Sequence, residues 1–415
     1  MTGPLAPTVR HNTSVELLTG LAYGVFYASV LAFMPVVLRR SGASAEMLAV
    51  YTSQQFVGFV IAAFSIVLMR RRRTMSVIVA CWVVARATFL LFAFIVQPIW
   101  MIALSGIYWL FEAFPAPGYT RIQQKIYPDA LRGKLMAYVR AGRVAAILVV
   151  TPLAGWALDH LGYQVLFPLG AVVGIVAALI FTRIRLDEGR LPPRETKALT
   201  DLWRILREDR RFSYYLLSFV VYGAGTLMAW TLYPLVQVDR LGLTYSQLGL
   251  LGLIQSIFWL AGYLVWGRLV DRRGGLFVLR ATCGVAIFTP LIYVFATEAW
   301  MLAPAFAVMG IISAGWDMGL INSAIQLADP ERVTEYAAIQ TSVVGIRGIV
   351  APLIGVWLLR LGMADNGVFL LSAGLMVIAW FMFGRIHAPT PTQPEFAERQ
   401  ALRYRWPIRT RTPRL

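Results

Sequence analysis

The sequence predicts an all-α integral membrane protein, with twelve transmembrane helices arranged as two pseudo-symmetric six-helix bundles. The composition argues against an ordinary soluble domain, because 58% of the residues are hydrophobic and 14% are charged, whereas soluble domains are roughly 25% charged. Apolar runs of about 20 residues, the length that crosses a bilayer core, alternate with short polar connections. A repeat of about 200 residues relates the two halves of the chain, as expected of a duplicated membrane unit.

The two halves share landmarks that keep one order and one offset along the chain. Any single match is weak, but a series with a constant offset is the signature of an internal repeat. The matching pairs are Tyr23-Gly24 with Tyr222-Gly223, Pro35 with Pro234, Gln55 with Gln255, Asp129 with Asp329, Arg132 with Arg332, and Thr151-Pro152-Leu153-Ala154-Gly155 with Ala351-Pro352-Leu353-Ile354-Gly355. Two similar halves can rock against each other around a central site, which gives access to that site from each side in turn.

The apolar runs fix the approximate position of each span. The first run is longer than the core of a signal peptide and has no small-residue cleavage site after it, so it is expected to remain in the chain. The predicted spans are 15–38, 46–69, 75–95, 99–122, 135–158, 164–183, 213–237, 244–266, 276–297, 299–325, 334–358 and 366–386.

The polar segments divide the chain into domains. The stretch between the halves contains Pro192-Pro193, and its second part, 199–212, has its apolar residues near one helical face, which is typical of a helix lying at a membrane interface. The alternative is a simple tether between the two bundles. The end of the chain is rich in Pro, Arg and Thr and is expected to be disordered. The predicted domains are an N-terminal six-helix bundle (1–183), a cytoplasmic linker with an amphipathic helix (184–212), a C-terminal six-helix bundle (213–386) and a disordered cytoplasmic tail (387–415).

The net charge of +17 is distributed as a topology signal. An even number of spans puts both termini on one side, and roughly 31 of the 38 Lys and Arg residues fall on that side. The asymmetry predicts cytoplasmic termini in a plasma membrane, the inner membrane if the source is bacterial. Attraction to anionic lipids is compatible with the same pattern, whereas nucleic-acid binding is not expected. The exceptions, at span ends where long side chains can snorkel, are Arg39, Arg40, Arg240 and Arg360.

One short motif between the eighth and ninth spans is specific. The run Gly267-Arg268-Leu269-Val270-Asp271-Arg272-Arg273-Gly274-Gly275 follows the pattern G-x-L-x-D-R-x-G, and here the chain resembles the major facilitator superfamily of secondary transporters. The resemblance covers essentially all of 12–386. It implies a central cavity lined by spans 1, 4, 7 and 10, and a monomer that moves a small organic solute.

The first half departs from the family's pattern. It has Arg70-Arg71-Arg72-Arg73 where the signature's Asp and Gly are expected. By the superfamily's symmetry this quartet would meet acids that follow span 10, and Asp271 would meet Arg132, Lys134 and Arg140, so that opposite charges hold the cytoplasmic side closed. The Arg run is equally compatible with a role in topology alone. The predicted gating residues are Gly267, Asp271, Arg272, Gly274, Arg71, Arg72, Arg132, Asp329, Glu331 and Glu335.

Five ionisable residues are predicted at membrane depth, where charge is costly and usually functional. Arg86 and Glu112 have matched depths of about 15 Å and are expected to pair, and Asp317 and Arg347 are a looser match; Arg143 is the fifth. Burial favours the protonated acid and a nearby arginine favours the carboxylate, so Asp317 and Glu112 are candidates for proton coupling. The alternative is that both acids form structural salt bridges.

Aromatic and amide side chains on the spans expected to border the cavity are candidates for solute contact. Such a mixed lining suits an amphipathic organic molecule, although most aromatic residues in spans serve packing or the interfacial belt. The candidates are Tyr23, Tyr27, Gln55, Trp109, Tyr222, Trp230, Gln255, Trp316 and Asn322.

The predicted function is therefore secondary active transport by rocker-switch alternating access, coupled to protons. The run Thr151 to Trp156 partly matches one associated with exchangers in the family, which favours export by antiport; close helix packing explains its small residues equally well. No phosphate-binding loop appears, no intramembrane His or Cys/His cluster predicts an enzyme or a metal, and no cofactor is expected. The alternative is a membrane sensor or assembly protein that uses the same fold without transport.

Overall fold

A computed structural model describes residues 6–71, 73–186, 199–328 and 332–386, without the side chains of 62–71, 129–130, 199–203, 321, 324–325 and 333–334. Within this part of the chain, eleven helical segments are long and apolar enough to cross a membrane. The helix Ala45–Arg71, 27 residues long, occupies the position of the predicted second span. The chain is thus an all-helical membrane protein with the twelve predicted spans.

Each span consists of one helix or of two or three consecutive helical pieces. In the first half, spans 1 to 6 are Pro7–Phe26 with Tyr27–Leu31 and Met34–Arg40; Ala45–Arg71; Thr74–Ala87 with Thr88–Ala93; Pro98–Ala113 with Ala116–Ile126; Asp129–Leu161; and Tyr163–Phe181. In the second half, spans 7 to 12 are Arg210–Leu235 with Val236–Arg240; Tyr245–Arg273; Gly275–Ala286 with Phe288–Phe295; Ala299–Leu302 with Ala303–Leu327; Val333–Arg360; and Asp365–Gly384.

The linker contains a helix, Leu199–Glu208, which is shorter than the amphipathic segment predicted at 199–212. Asp209 ends it, because its carboxylate accepts a hydrogen bond from the Phe212 amide and so caps span 7. Phe212 is fully buried as part of span 7 and does not belong to an interfacial face. The double proline at 192–193 and the tail 387–415 lie outside the described residues.

Spans 1 and 7 each contain a segment that departs from regular α-helical geometry. Each contains a π-helical segment, Tyr27–Leu31 in span 1 and Val236–Arg240 in span 7. A proline lies beside each segment, Pro35 after the first and Pro234 before the second, and proline removes a backbone donor from a helix. Such wide turns are common at functional sites, and here they help to shape the space between the bundles.

The two bundles meet along two pairs of spans, with span 5 against span 8 and span 2 against span 11. Glycines allow the backbones to approach closely: a Cβ on Gly155 would lie 2.3 Å from the Tyr245 carbonyl oxygen, and one on Gly249 would lie 2.9 Å from that of Thr151. Close packing therefore gives a sufficient physical reason for the small residues of the run Thr151–Gly155.

The polar contacts between the bundles lie on one side of the molecule. We call the side that carries both chain ends the terminal side, and the opposite side the distal side. Within the described residues, every hydrogen bond or ion pair that joins the two bundles lies in the distal half. The structure is thus a state in which the bundles are joined at the distal side.

Candidate transport site

A central cavity of about 540 Å3 lies between the two bundles. Its wall combines aromatic rings with amides and hydroxyls, and it takes residues from both halves of the repeat. The size and the mixed lining fit a small organic molecule. Its charged residues, among those the structure describes, are Asp317 and Arg347.

Seven of the nine residues predicted to contact the solute line this cavity. They are Tyr27, Gln55, Trp109, Tyr222, Trp230, Gln255 and Trp316. Tyr23 and Asn322 are not part of the lining. The Tyr23 hydroxyl instead lies 3.3 Å from that of Tyr108 inside the first bundle, and Asn322 donates to the Met318 carbonyl and packs against Gly275. In this state both side chains therefore contact residues of their own bundle.

Asp317 presents its carboxylate to the cavity from span 10. Its Oδ2 accepts a hydrogen bond of 2.5 Å from the hydroxyl of Tyr263 on span 8. The predicted match with Arg347 is wrong, because Arg347 makes its hydrogen bond elsewhere and no ion pair joins these two described residues. Asp317 also interacts at longer range with Arg143, which belongs to the other bundle. The charge of Asp317, on the second bundle, therefore acts electrostatically on a residue of the first bundle.

Arg347 is a buried cation in the cavity wall, with 6% of its surface exposed. It donates from Nη1 to the Phe219 carbonyl oxygen. Its guanidinium carbon lies 3.8 Å from the Phe219 ring centre and 5.2 Å from that of Trp316. These contacts hold the arginine by stacking and one backbone acceptor.

Arg86 and Glu112 form an ion pair in the first bundle, with 3.4 Å between Nη2 and Oε1. The matched depths thus identified two residues that are in contact. Arg86 also donates to the Gly174 carbonyl oxygen at 2.7 Å and lies over the rings of Tyr23 and Trp82. The second carboxylate oxygen of Glu112 is buried without a hydrogen-bond partner. Neither residue lines the central cavity, so the pair lies behind the wall.

Arg143 of span 5 is the fifth predicted intramembrane charge. No described carboxylate lies within 4 Å of it, and its Nε is buried without a hydrogen-bond partner. Its guanidinium carbon is 6.0 Å from the ring centre of Tyr23. Arg143 therefore has no ion-pair partner among the described residues in this state.

Glu16 is a buried acid that sequence reasoning missed. It is 2% exposed, and its carboxylate accepts hydrogen bonds from Tyr119 at 2.6 Å, from Gln123 at 2.8 Å and from the Tyr127 hydroxyl. Tyr119 and Gln123 are four residues apart and share one face of the helix Ala116–Ile126, and Tyr127 follows directly after that helix. This spacing was the available sequence signal. Glu16 thus fastens span 1 to span 4 on the terminal side.

The distal arginines are contact residues as well as topology signals. Arg39 forms an ion pair of 2.6 Å with Asp239 of the other bundle, and Arg360 forms one of 2.6 Å with Glu46. Arg40 donates to the Leu243 carbonyl oxygen, also across the bundles. Snorkelling alone does not describe these residues, because their head groups bind protein partners.

Two further distal contacts complete this side. Arg240 pairs with Asp365 at 3.0 Å, within the second bundle. Asp159, at the distal end of span 5, accepts from the backbone amides of Tyr245 and Ser246 at 3.1 and 2.7 Å. The carboxylate therefore caps the start of span 8 from the other bundle.

Among the described residues, no hydrogen bond or ion pair joins the signature loop to the other bundle in this state. Gly274 ends span 8 with φ +82, a backbone conformation that favours glycine. Gly267 has open space where a Cβ would be. Asp271 and Arg272 are exposed. Arg132 donates to the Gln124 carbonyl oxygen at 2.9 Å.

The predicted charge latch on the terminal side therefore stays a prediction for a closed state. The side chains of several of its members lie outside the described residues: Arg70, Arg71, Arg72, Asp329 and Glu331. Glu335 is described, in the first turn of span 11.

Comparison with known proteins identifies the family. A fragment of 83 residues, 20% of this chain and 18% of the relative, is 29% identical to the probable galactarate/D-glucarate transporter GudP of Bacillus subtilis (strain 168). A mutant of the nucleoside transporter NupG has a similar fold, with a TM-score of 0.67 at 13% identity over 91% of this chain and 99% of that one.

A bacterial homologue of the human lysosomal transporter Spinster, solved in an inward-facing and unoccupied conformation, has a TM-score of 0.61 at 13% identity, over 97% of this chain and 99% of that one. The model of the Major Facilitator Superfamily matches residues 16–332. Since this match spans well over half of the chain, the protein belongs to the Major Facilitator Superfamily.

Proposed function

We propose that this protein is a proton-coupled secondary transporter that moves a small organic solute by rocker-switch alternating access. The observation that carries the proposal is the central cavity, which lies between two pseudo-symmetric bundles and contains Asp317 and Arg347 in its wall. The distal joining of the bundles supports one end state of such a cycle. The relative named for galactarate and D-glucarate and the neighbour named for nucleosides are in keeping with a small organic solute.

Asp317 is the group that we propose to carry the proton. It is the acid among the described lining residues, so it can meet both water and solute. When ionised it attracts Arg143 of the other bundle, and when protonated it does not. Loading Asp317 with a proton would therefore weaken one electrostatic attraction between the bundles, and this change can bias the equilibrium between the two end states.

Glu112 is the second candidate for proton coupling, with a less direct role. Its carboxylate lies behind the cavity wall, bound to Arg86, and one of its oxygens is buried without a partner. We propose that Glu112 mainly neutralises Arg86.

Export by antiport and the predicted plasma membrane with cytoplasmic termini also remain proposals. With that orientation, the joined distal side would face outward.

The test is solute transport by purified protein in proteoliposomes, with and without a pH gradient. Asp317→Asn is expected to abolish accumulation driven by the gradient, while exchange of labelled for unlabelled solute continues, because the cavity keeps its shape. Glu298→Gln is a matched control, since Glu298 is an exposed acid that precedes the same span. If the Asp317→Asn protein still accumulates solute with the pH dependence of the wild type, the proton does not travel on Asp317. Solute binding without any flux would favour the sensor alternative.

A further inference from the structure

We infer that the central cavity binds an organic monocarboxylate and that Arg347 is the cation that receives its carboxylate group. The inference rests on the proposed transport function and specifies the substrate class. It depends on the environment of one arginine, on the room that the fold makes for it, and on the balance of charge in the cavity.

Arg347 is buried without a compensating acid. Only 6% of its surface is exposed, and no described carboxylate lies within 4 Å of its guanidinium. One N–H is used by the Phe219 carbonyl oxygen, while Nε is buried without a hydrogen-bond partner. An unpaired charge at membrane depth is costly. An anionic ligand at this position would supply the missing countercharge and further acceptors.

The protein makes room for this arginine at a specific position. A Cβ on Gly223 would lie 2.1 Å from Nη1 and 2.4 Å from the guanidinium carbon of Arg347, so any larger residue would displace the head group. The rings of Phe219 and Trp316 lie against the guanidinium. Stacking on rings holds the guanidinium plane and leaves the N–H groups at its edge to point at a ligand.

The charge balance of the cavity favours one negative charge on the ligand. Among the described lining residues, Arg347 is the cation and Asp317 is the acid. When Asp317 carries the proton that the proposed function assigns to it, the charged lining residues have a net charge of +1, which one carboxylate neutralises. A single arginine matches a carboxylate in charge and in the geometry of its two oxygens. A phosphate dianion would bring an uncompensated second negative charge into the cavity that contains Asp317.

The rest of the cavity suits the remainder of such a molecule. Trp109 and Trp230 offer apolar faces, while Gln55 and Gln255 offer amides from pseudo-equivalent positions of the two bundles. These groups can contact rings and hydroxyls without adding charge. The carboxylate group therefore binds electrostatically to Arg347, and the uncharged lining residues select for the rest of the ligand molecule.

The experiment measures the melting temperature of the full-length protein in detergent with matched probes. Benzoate, indole-3-acetate and D-gluconate are compared with benzamide, indole-3-acetamide and D-glucose, and phenyl phosphate and glucose 6-phosphate form the phosphate arm. A ligand raises the melting temperature of the state that binds it. At least one carboxylate is expected to stabilise the wild type while its neutral counterpart does not. Arg347→Gln should raise the Kd for that carboxylate about 10- to 100-fold, with partial recovery in Arg347→Lys.

Arg280→Gln is the matched control. Arg280 lies in the same bundle, stacks on Trp380 with 4.8 Å to the ring centre and also has a buried Nε without a partner, but it does not line the cavity. This variant should bind the carboxylate as the wild type does. If the stabilisation is the same with neutral probes, is strongest with the phosphates, is absent from every carboxylate, or persists in Arg347→Gln, the inference is wrong.

Proteoliposome flux of the same probes separates the inference from the proposed function. Transport of a neutral probe without transport of its carboxylate would overturn the carboxylate site and leave the transporter intact. Binding of a carboxylate through Arg347 without any flux would support the site and contradict the transport function on which its physiological meaning rests.

Discussion

Neutralising the ion pair between Arg39 and Asp239 is expected to open the distal side of the cavity more often. The carboxylate accepts from Nε at 3.0 and 2.9 Å and from Nη2 at 2.6 Å, so the pair is well formed. Its side chains are 28% and 44% exposed, and an exposed pair contributes about 0–1 kcal/mol. At the upper end of this range, Asp239→Asn shifts a balanced two-state equilibrium about fivefold toward the distal-open state.

The assay is labelling of a single cysteine by a membrane-impermeant maleimide. Thr231 lines the cavity and is 1% exposed in the distal-closed state, so Thr231→Cys reports distal opening. The two native cysteines, Cys81 and Cys283, are buried and would first be replaced by alanine. Asp239→Asn is expected to raise the labelling rate from the distal side about two- to fivefold.

A matched ion pair in the same region provides the control. Arg240 and Asp365 lie 3.0 Å apart with exposures of 29% and 36%, but both belong to the second bundle, so Asp365→Asn should leave labelling unchanged. Arg39→Gln combined with Asp239→Asn should label no faster than the more affected single variant, since each removes the same contact. An equal rise in the control, or no rise in Asp239→Asn, would refute the role of the inter-bundle pair.

Three further predictions concern stability and are checked by thermal melting. Replacement of either Arg86 or Glu112 by glutamine should destabilise the protein more than replacement of both, because the remaining partner is left as a buried lone charge. If the two single losses of stability simply add in the double variant, the pair is not coupled. Glu16→Ala should cost about 3 kcal/mol by orphaning three donors, whereas Glu16→Gln should cost less, and equal losses would contradict this explanation. Gly155→Ala should cost about 1–3 kcal/mol by pushing spans 5 and 8 apart, while Gly133→Ala on the same helix, where a Cβ meets no atom within 4 Å, should not destabilise.

The spans could be predicted because the bilayer imposes a strong and local signal. A helix must present about 20 apolar residues to cross the core, and the runs in this chain do so without help from tertiary contacts. Helix ends were less predictable, since they depend on caps. Asp209 ends the linker helix and begins span 7, because its carboxylate accepts a hydrogen bond from the Phe212 amide. An amphipathic pattern does not predict this boundary.

The partners of buried charges were predictable only in part. Depth along a span gives one coordinate and leaves the direction around the helix axis open. This sufficed for Arg86 and Glu112, which face each other within one bundle. It failed for Asp317 and Arg347, because the acid binds Tyr263 on span 8 and the arginine binds the backbone of span 7.

Contacts between the bundles were the hardest to foresee. Arg39 and Asp239 lie 200 residues apart and belong to one conformational state, so a single sequence carries little information about their meeting. The cavity itself was more accessible, because the duplicated pattern and the family resemblance indicated which spans would face it.

The central claim, alternating access between two rigid bundles, is tested most directly by inter-bundle distances from double electron–electron resonance. Spin labels at Gln97→Cys with Thr297→Cys report the distal side, and labels at Ala137→Cys with Ala337→Cys report the terminal side; all four positions are exposed. Without solute, the distal pair should be close and the terminal pair far apart. With a transported solute at acidic pH, a second population with the terminal pair closer and the distal pair farther apart should appear. Distances that stay fixed, or that lengthen on both sides together, would contradict the account.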